Sequence, residues 1–188
     1  MGNCTQALEL IRQVCRTRQL DEDDTFRITR KLLENYRSAL WIHKGITGTA
    51  KTIIGGDGKR QVKQWYLSFK QITKEEQKEA AIDSAIFHVC RTDWIIKAVE
   101  MVMEKVNAFR PYGDLYHDIL QLAYVVEEKL TDCEIAEKLG IERSTYYRRK
   151  KEAIFLSGIL LWDEAREKCF AQTSLAMEHI IDTSLTLH

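Results

Sequence analysis

The segment 143–151 concentrates side chains that can recognise a nucleic acid. Its sequence, RSTYYRRKK, holds five arginines and lysines and no acidic residue. Arginine and lysine bind phosphates and the acceptor edge of guanine, and hydroxyl groups add contacts to phosphates and bases. The candidate DNA-contacting residues are Arg143, Ser144, Thr145, Tyr147, Arg148, Lys150 and Lys151, and Arg149 belongs to the same polar and cationic series.

A short helix with clear start and stop signals precedes this segment. Thr131 and Glu134 have the spacing of a capping box, which marks the N-terminus of a helix. Gly140 stands where the helix must stop, because glycine takes the left-handed conformation of a helix end at little cost. Between these signals, apolar residues recur three and four positions apart and define one packing face: Ile135, Ala136 and Leu139.

A second helix is expected to begin near Arg143, after Ile141 as the hydrophobic plug of the turn. Its inward side is expected to carry Tyr146, Ala153 and Ile154. A helix, a glycine turn and a cationic helix in this order are typical of a helix-turn-helix, which places its second helix in the major groove of DNA. The alternative is that the Arg-Arg-Lys-Lys run is only the solvated face of a surface helix.

The order IAxxLGIxRSTxYRxxxxA, residues 135–153, resembles the helix-turn-helix of sigma factor region 4 and of many bacterial regulators. Glu142 departs from that pattern, since Ser or Thr usually caps the recognition helix, and its charge is expected to point away from DNA phosphates. From Tyr116 to Trp162 the chain is similar to phage and prophage transcription regulators of the ArpU and RinA type. The resemblance implies an activator of late phage genes. It also implies base reading by Arg143, Ser144, Tyr147 and Arg148, with Lys150 and Lys151 nearer the phosphates.

Two functions that involve DNA fit this pattern. The first is a sequence-specific transcription regulator that binds double-stranded DNA with a recognition helix at about 143–155. A homodimer is expected in that case, since one recognition helix reads few base pairs. The second is a small alternative sigma factor whose N-terminal helices bind core RNA polymerase. It ranks lower because neither 26–42 nor 82–106 carries a convincing region 2 signature. A third class is an adaptor that does not bind DNA, or an enzyme.

Composition favours an all-α protein. The 188 residues include a single proline, which fits helices better than a sheet. Residues 1–110 are expected to form an N-terminal helical region with a glycine-rich loop near 45–58. Residues 111–188, after the break at Pro111, are expected to form the helix-turn-helix domain with a C-terminal helix. The predicted helices cover about 5–16, 24–44, 73–90, 92–106, 114–126 and 163–181.

The net charge and the hydropathy pattern limit the possible modes of DNA binding and the expected cellular location. The net charge is zero, which excludes a coating of DNA by the whole surface but leaves room for a local basic patch. No segment resembles a signal peptide, and no apolar run approaches about 18 residues. We therefore expect a cytoplasmic protein without a membrane partner.

The sequence predicts neither catalysis nor a cofactor. Its five cysteines are widely spread and form no CxxC, and none of its five histidines lies at zinc-ligand spacing from them. Buried, reduced thiols are expected. The glycine run before Lys59 fails as a phosphate-binding loop, because Ile53 replaces the first glycine and Arg60 the serine or threonine.

The stretch 59–71 mixes lysines and an arginine with Trp65, Tyr66 and Phe69. The favoured interpretation is a short helix whose aromatic residues lie in the core and whose cations face water. The alternative is a second DNA contact or a partner-docking surface, since cations beside aromatic rings suit nucleic acids.

Overall fold

The structure is a computed structural model that describes residues 3–47 and 93–185. All regular elements in these two ranges are helical, in agreement with the predicted all-α class, and no strand occurs there. The helices are α1 Asn3–Thr17, α2 Glu22–Thr47, α3 Asp93–Asn107, α4 Gly113–Leu120, α5 Asp132–Lys138 and α6 Arg143–Leu185. A π-helical turn, Gln121–Val125, continues α4.

The N-terminal helices confirm the two predicted ones and extend beyond them. Asp21 acts as the N-terminal cap of α2, since its carboxylate accepts a hydrogen bond of 2.8 Å from the amide of Asp24. Because that cap lies upstream of the predicted start, α2 begins at Glu22 rather than at Asp24. The predicted inner face of α2 is buried at Leu32, Leu33, Tyr36 and Leu40, and half-buried at Phe26.

The main apolar core joins helices from both sides of the expected boundary between residues 110 and 111. It includes buried side chains of α1, α2, α3, α4 and α6, among them Ile11, Leu32, Val99, Tyr116 and Ile159. The two segments therefore share one core, in which α4 and α6 pack directly against the N-terminal helices.

Helix α6 comes very near α2 at Gly158. A Cβ atom on Gly158 would collide with the hydroxyl of Thr29 and lie 2.9 Å from the Cγ2 atom of Thr25. Thr29 is itself fixed by a hydrogen bond of 2.6 Å to the Thr25 carbonyl. Glycine is thus required for this close approach, which anchors the middle of α6 to the N-terminal region.

Two side chains of α2 hold the π-helical turn that precedes α5. Arg37 donates from Nη2 to the carbonyl of Ala123 at 2.5 Å, and Trp41 donates from Nε1 to the carbonyl of Val125 at 3.2 Å. Carbonyls at a helix end have no partner within the helix, so these contacts satisfy them. The position of α4, and through it of α5, is therefore fixed from α2.

The C-terminal helix corrects one prediction. A separate helix at 163–181 was expected after the recognition helix, but α6 runs without interruption from Arg143 to Leu185. Neither proline nor glycine occurs after Gly158, so no residue there breaks the helical geometry.

Several predictions lie outside the described residues. These are the glycine-rich loop beyond Thr47, the stretch 59–71, the helix at 73–90 and the cap at Thr92. The first residues of the expected loop, 45–47, are described and belong to α2. Of the thiols that the structure describes, Cys15 is buried as expected, whereas Cys133 is exposed. Within the same ranges, no helix has the length and apolar character needed to cross a membrane.

Candidate nucleic-acid interface

Helix α5 begins at the predicted capping box. The amide of Glu134 donates to the Thr131 hydroxyl at 3.3 Å, and the amide of Thr131 donates to the Glu134 carboxylate at 2.7 Å. The hydrogen bond from the Thr131 backbone lowers the pKa of Glu134 below its usual value. The start of α5 is therefore set by local chemistry that the sequence already indicates.

The turn after α5 is closed by Gly140, as predicted. Gly140 has a φ of 63°, in the left-handed region. Its amide donates to the Glu137 carbonyl at 3.0 Å, and the amide of Ile141 donates to the Ala136 carbonyl at 3.0 Å. These are the two hydrogen bonds of a Schellman motif, and Ile141 and Ala136 also pack in one apolar cluster.

Replacing Gly140 with alanine should lower the free energy of unfolding by about 1–2 kcal/mol, because an L-residue is disfavoured at positive φ. No atom lies within 4 Å of a Cβ placed at this position, so the cost is conformational and not steric. Gly140→Asn is the matched control and should lose less, since asparagine tolerates this region. Urea unfolding measures both, and an equal loss for the two variants would contradict the argument.

A small apolar cluster orients α6 against α4 and α5. Its buried members are Ile119, Ile135, Ala136 and Tyr146, and the Tyr146 side chain is completely buried. Helix α6 begins at Arg143 as predicted. Its first turn is closed by a hydrogen bond of 2.8 Å from the amide of Tyr146 to the carbonyl of Glu142. The predicted inward residues Ala153 and Ile154 are buried as well.

The opposite face of α6 is open. Five of the seven candidate DNA-contacting residues are exposed and lie on one side of the helix: Arg143, Ser144, Tyr147, Arg148 and Lys151. Thr145 is half-buried at the margin. Arg143 donates from Nη2 to the thiol of Cys133 at 2.6 Å, so its guanidinium lies over the first turn of α5. The Nζ atom of Lys151 lies 5.6 Å from the centre of the Phe26 ring.

Lys150, a candidate DNA-contacting residue, is turned towards the protein and forms an ion pair with Asp132. Its Nζ atom donates to Oδ1 of Asp132 at 2.5 Å, and the Tyr146 hydroxyl donates to the same oxygen at 2.6 Å. Burial raises the pKa of Asp132, but these hydrogen bonds outweigh burial and lower it. The contact joins the first turn of α5 to α6. The sequence did not indicate this role for Lys150 or for Asp132.

Arg149, which the sequence groups with the cationic residues of this segment, is buried and does not belong to the exposed face. Its Nη1 atom lies 2.7 Å from Oε2 of Glu152, and its guanidinium carbon lies 3.4 Å from the centre of the Tyr112 ring. The Tyr116 hydroxyl donates to the same Glu152 oxygen at 2.7 Å. Burial lowers the pKa of Arg149, but the hydrogen bond and the charge of Glu152, together with smaller contributions from Tyr116 and Tyr112, raise it by more. The pair fixes the rotation of α6 about its own axis against α4.

The arrangement leaves one cationic, hydroxyl-bearing face of α6 on a supporting platform built from α4, α5 and the buried side of α6. The predicted order of helix, glycine turn and helix is present. The resemblance to sigma region 4 and to phage regulators stays a prediction. Comparisons of the chain with protein-family models, curated proteins and solved structures give no match.

Proposed function

We propose that the protein is a sequence-specific regulator of phage or prophage transcription that acts in the cytoplasm by binding double-stranded DNA. The observation that carries the proposal is the exposed face of α6, which carries Arg143, Tyr147, Arg148 and Lys151. An α-helix fits the major groove of B-form DNA, and a regulator needs such a face to read base edges there.

The platform below this face favours recognition of defined bases over loose association. The hydrogen bond from Tyr116 of α4 to Glu152 and the contact between Lys150 and Asp132 of α5 limit how far α6 can rotate or slide. Side chains on a fixed helix can discriminate base pairs, because a good bidentate contact contributes about 1–3 kcal/mol only when its geometry is held.

The proposed roles follow from position on the helix. Arg143, Ser144, Tyr147 and Arg148 lie in the first two turns and would face base edges. Lys151 lies one turn further and would face the phosphates. Of the five cations between Arg143 and Lys151, three are exposed. Each phosphate contact contributes about −0.9 to the slope of log affinity against log salt, so the one phosphate contact of Lys151 predicts a slope near −0.9 for one helix and about twice that for a dimer.

The test is binding of labelled duplexes over a range of salt concentrations, with a cognate site selected from a random pool. Arg148→Ala should weaken binding to the cognate site by about 1–3 kcal/mol and random DNA much less, because it removes a base contact. Lys151→Ala should weaken both duplexes alike and flatten the salt slope by about one unit.

If both substitutions act alike on cognate and random DNA, the assignment of base-reading and phosphate-binding roles is wrong. Absence of duplex binding by the wild-type chain at low salt contradicts the proposed function. Binding that needs added core RNA polymerase would support the alternative sigma factor instead. Symmetry of the selected half-sites reports whether the protein binds as the expected homodimer.

A further inference from the structure

Tyr147 is an unusual residue to find on the open face of α6. Its side chain is 52% exposed, and it is one of three exposed large apolar residues in the described ranges, with Leu10 and Val14 of α1. Arg143 precedes it by one helical turn and Arg148 follows it directly. An exposed aromatic ring between cations lies where a base edge would arrive if α6 entered the major groove.

The ring of Tyr147 has a fixed support. Its centroid lies 5.4 Å from that of Tyr146, with an angle of 66° between the planes, which is an edge-to-face contact. Tyr146 is completely buried and anchored through its hydroxyl to Asp132 at 2.6 Å. The Tyr146 ring is therefore held in place beneath the ring of Tyr147. An aromatic side chain also has only two rotatable bonds, so ordering it at an interface costs little entropy.

The major groove offers one apolar group to such a ring. Each base pair presents donors and acceptors there, and thymine adds a C5 methyl group that apolar side chains contact. On the basis of the proposed function, we infer that Tyr147 reads a pyrimidine C5 methyl group, so that the recognition site contains a thymine opposite this ring. The flanking arginines supply the polar contacts to neighbouring bases or phosphates.

The test removes the methyl group and nothing else. In the site selected from a random pool, each thymine is replaced singly by uracil, and the affinity of the wild-type chain is measured for each duplex. Burial of one methyl group predicts a loss of about three- to fivefold at one position in each half-site. Tyr147→Ala should bind the thymine and uracil duplexes equally at that position. Tyr147→Phe should keep the sensitivity, because it keeps the ring.

Placing 5-methylcytosine, but not cytosine, at the sensitive position should restore part of the lost affinity, since it carries the same methyl group. The inference is overturned if no uracil duplex binds more weakly, or if Tyr147→Ala remains sensitive. It is also overturned if Tyr147→Phe loses the sensitivity as Tyr147→Ala does, which would indicate a hydroxyl contact. In all these outcomes the wild-type chain still binds duplex DNA, so the proposed function stands; absence of any duplex binding overturns both.

Discussion

Replacing Arg149 with methionine should lower the free energy of unfolding by about 3–5 kcal/mol, the usual cost of removing one partner of a buried ion pair. Only 6% of the Arg149 side chain and 1% of the Glu152 side chain are exposed. Without the guanidinium, the Glu152 carboxylate would keep the Tyr116 hydroxyl as its hydrogen-bond donor but would have no neutralising charge beside it. Urea unfolding followed by circular dichroism measures the loss.

Arg148→Met is the matched control, because the same residue type stands one position away on the exposed face. It should change the free energy of unfolding by no more than about 0.5 kcal/mol. The double replacement Arg149→Met with Glu152→Leu should recover much of the stability, since no buried charge remains. Equal losses for Arg149→Met and Arg148→Met would contradict the buried pair.

The spacing of the apolar residues on α6 indicates that Arg149 faces inward, but its positive charge grouped it with the exposed cations. Tyr146, Ala153 and Ile154 were predicted to face inward, and Arg149 lies three residues after Tyr146 and four before Ala153. That spacing puts Arg149 on the inward face. A buried arginine nevertheless requires partners: Glu152 supplies one from the next turn of α6 itself, and Tyr112 and Tyr116 cover the pair from the segment of α4. Spacing along one helix therefore indicated the direction of the Arg149 side chain and its pairing with Glu152, but could not indicate that Tyr112 and Tyr116 bury the pair.

Three predictions that depended on local signals were confirmed in the described residues. The capping box at Thr131, the left-handed Gly140 and the start of α6 at Arg143 each follow from interactions over three to five residues. Contacts between distant segments could not be read in this way. The pairing of Lys150 with Asp132 and the packing of Gly158 on Thr25 and Thr29 depend on how helices cross, which no short pattern in the sequence specifies.

Adjacent residues on α6 have different roles, one in stability and the other in the proposed recognition of DNA. Tyr146 and Tyr147 are adjacent and of one type, yet the first is fully buried and the second is half exposed. Arg148 and Arg149 repeat the contrast two residues later, with the exposed residue first. In each pair, the proposed function assigns DNA contact to the outer residue and support of the helix to the inner one. Substitutions of the outer residues should therefore affect binding without unfolding the chain.

Replacing Tyr146 with alanine should lower the free energy of unfolding by about 3–5 kcal/mol, as expected for an aromatic side chain removed from a core. Its ring fills the small cluster with Ile119, Ile135 and Ala136, which joins α4, α5 and α6. The change also removes the hydroxyl that donates to Asp132. In the Tyr146→Ala variant, the exchange of backbone amide hydrogens should accelerate most in α5, because this short helix packs mainly through that cluster.

Two controls separate the ring of Tyr146 from its hydroxyl and from its neighbour. Tyr146→Phe keeps the ring and should cost only about 1 kcal/mol, since Asp132 retains the hydrogen bond from Lys150. Tyr147→Ala should lower the free energy of unfolding by at most about 1.5 kcal/mol, because its ring is half exposed and loses only the edge-to-face contact with Tyr146. A loss for Tyr147→Ala as large as that for Tyr146→Ala would mean that both rings support the fold. In that case the outer face of α6 could not act in recognition independently of the platform beneath it.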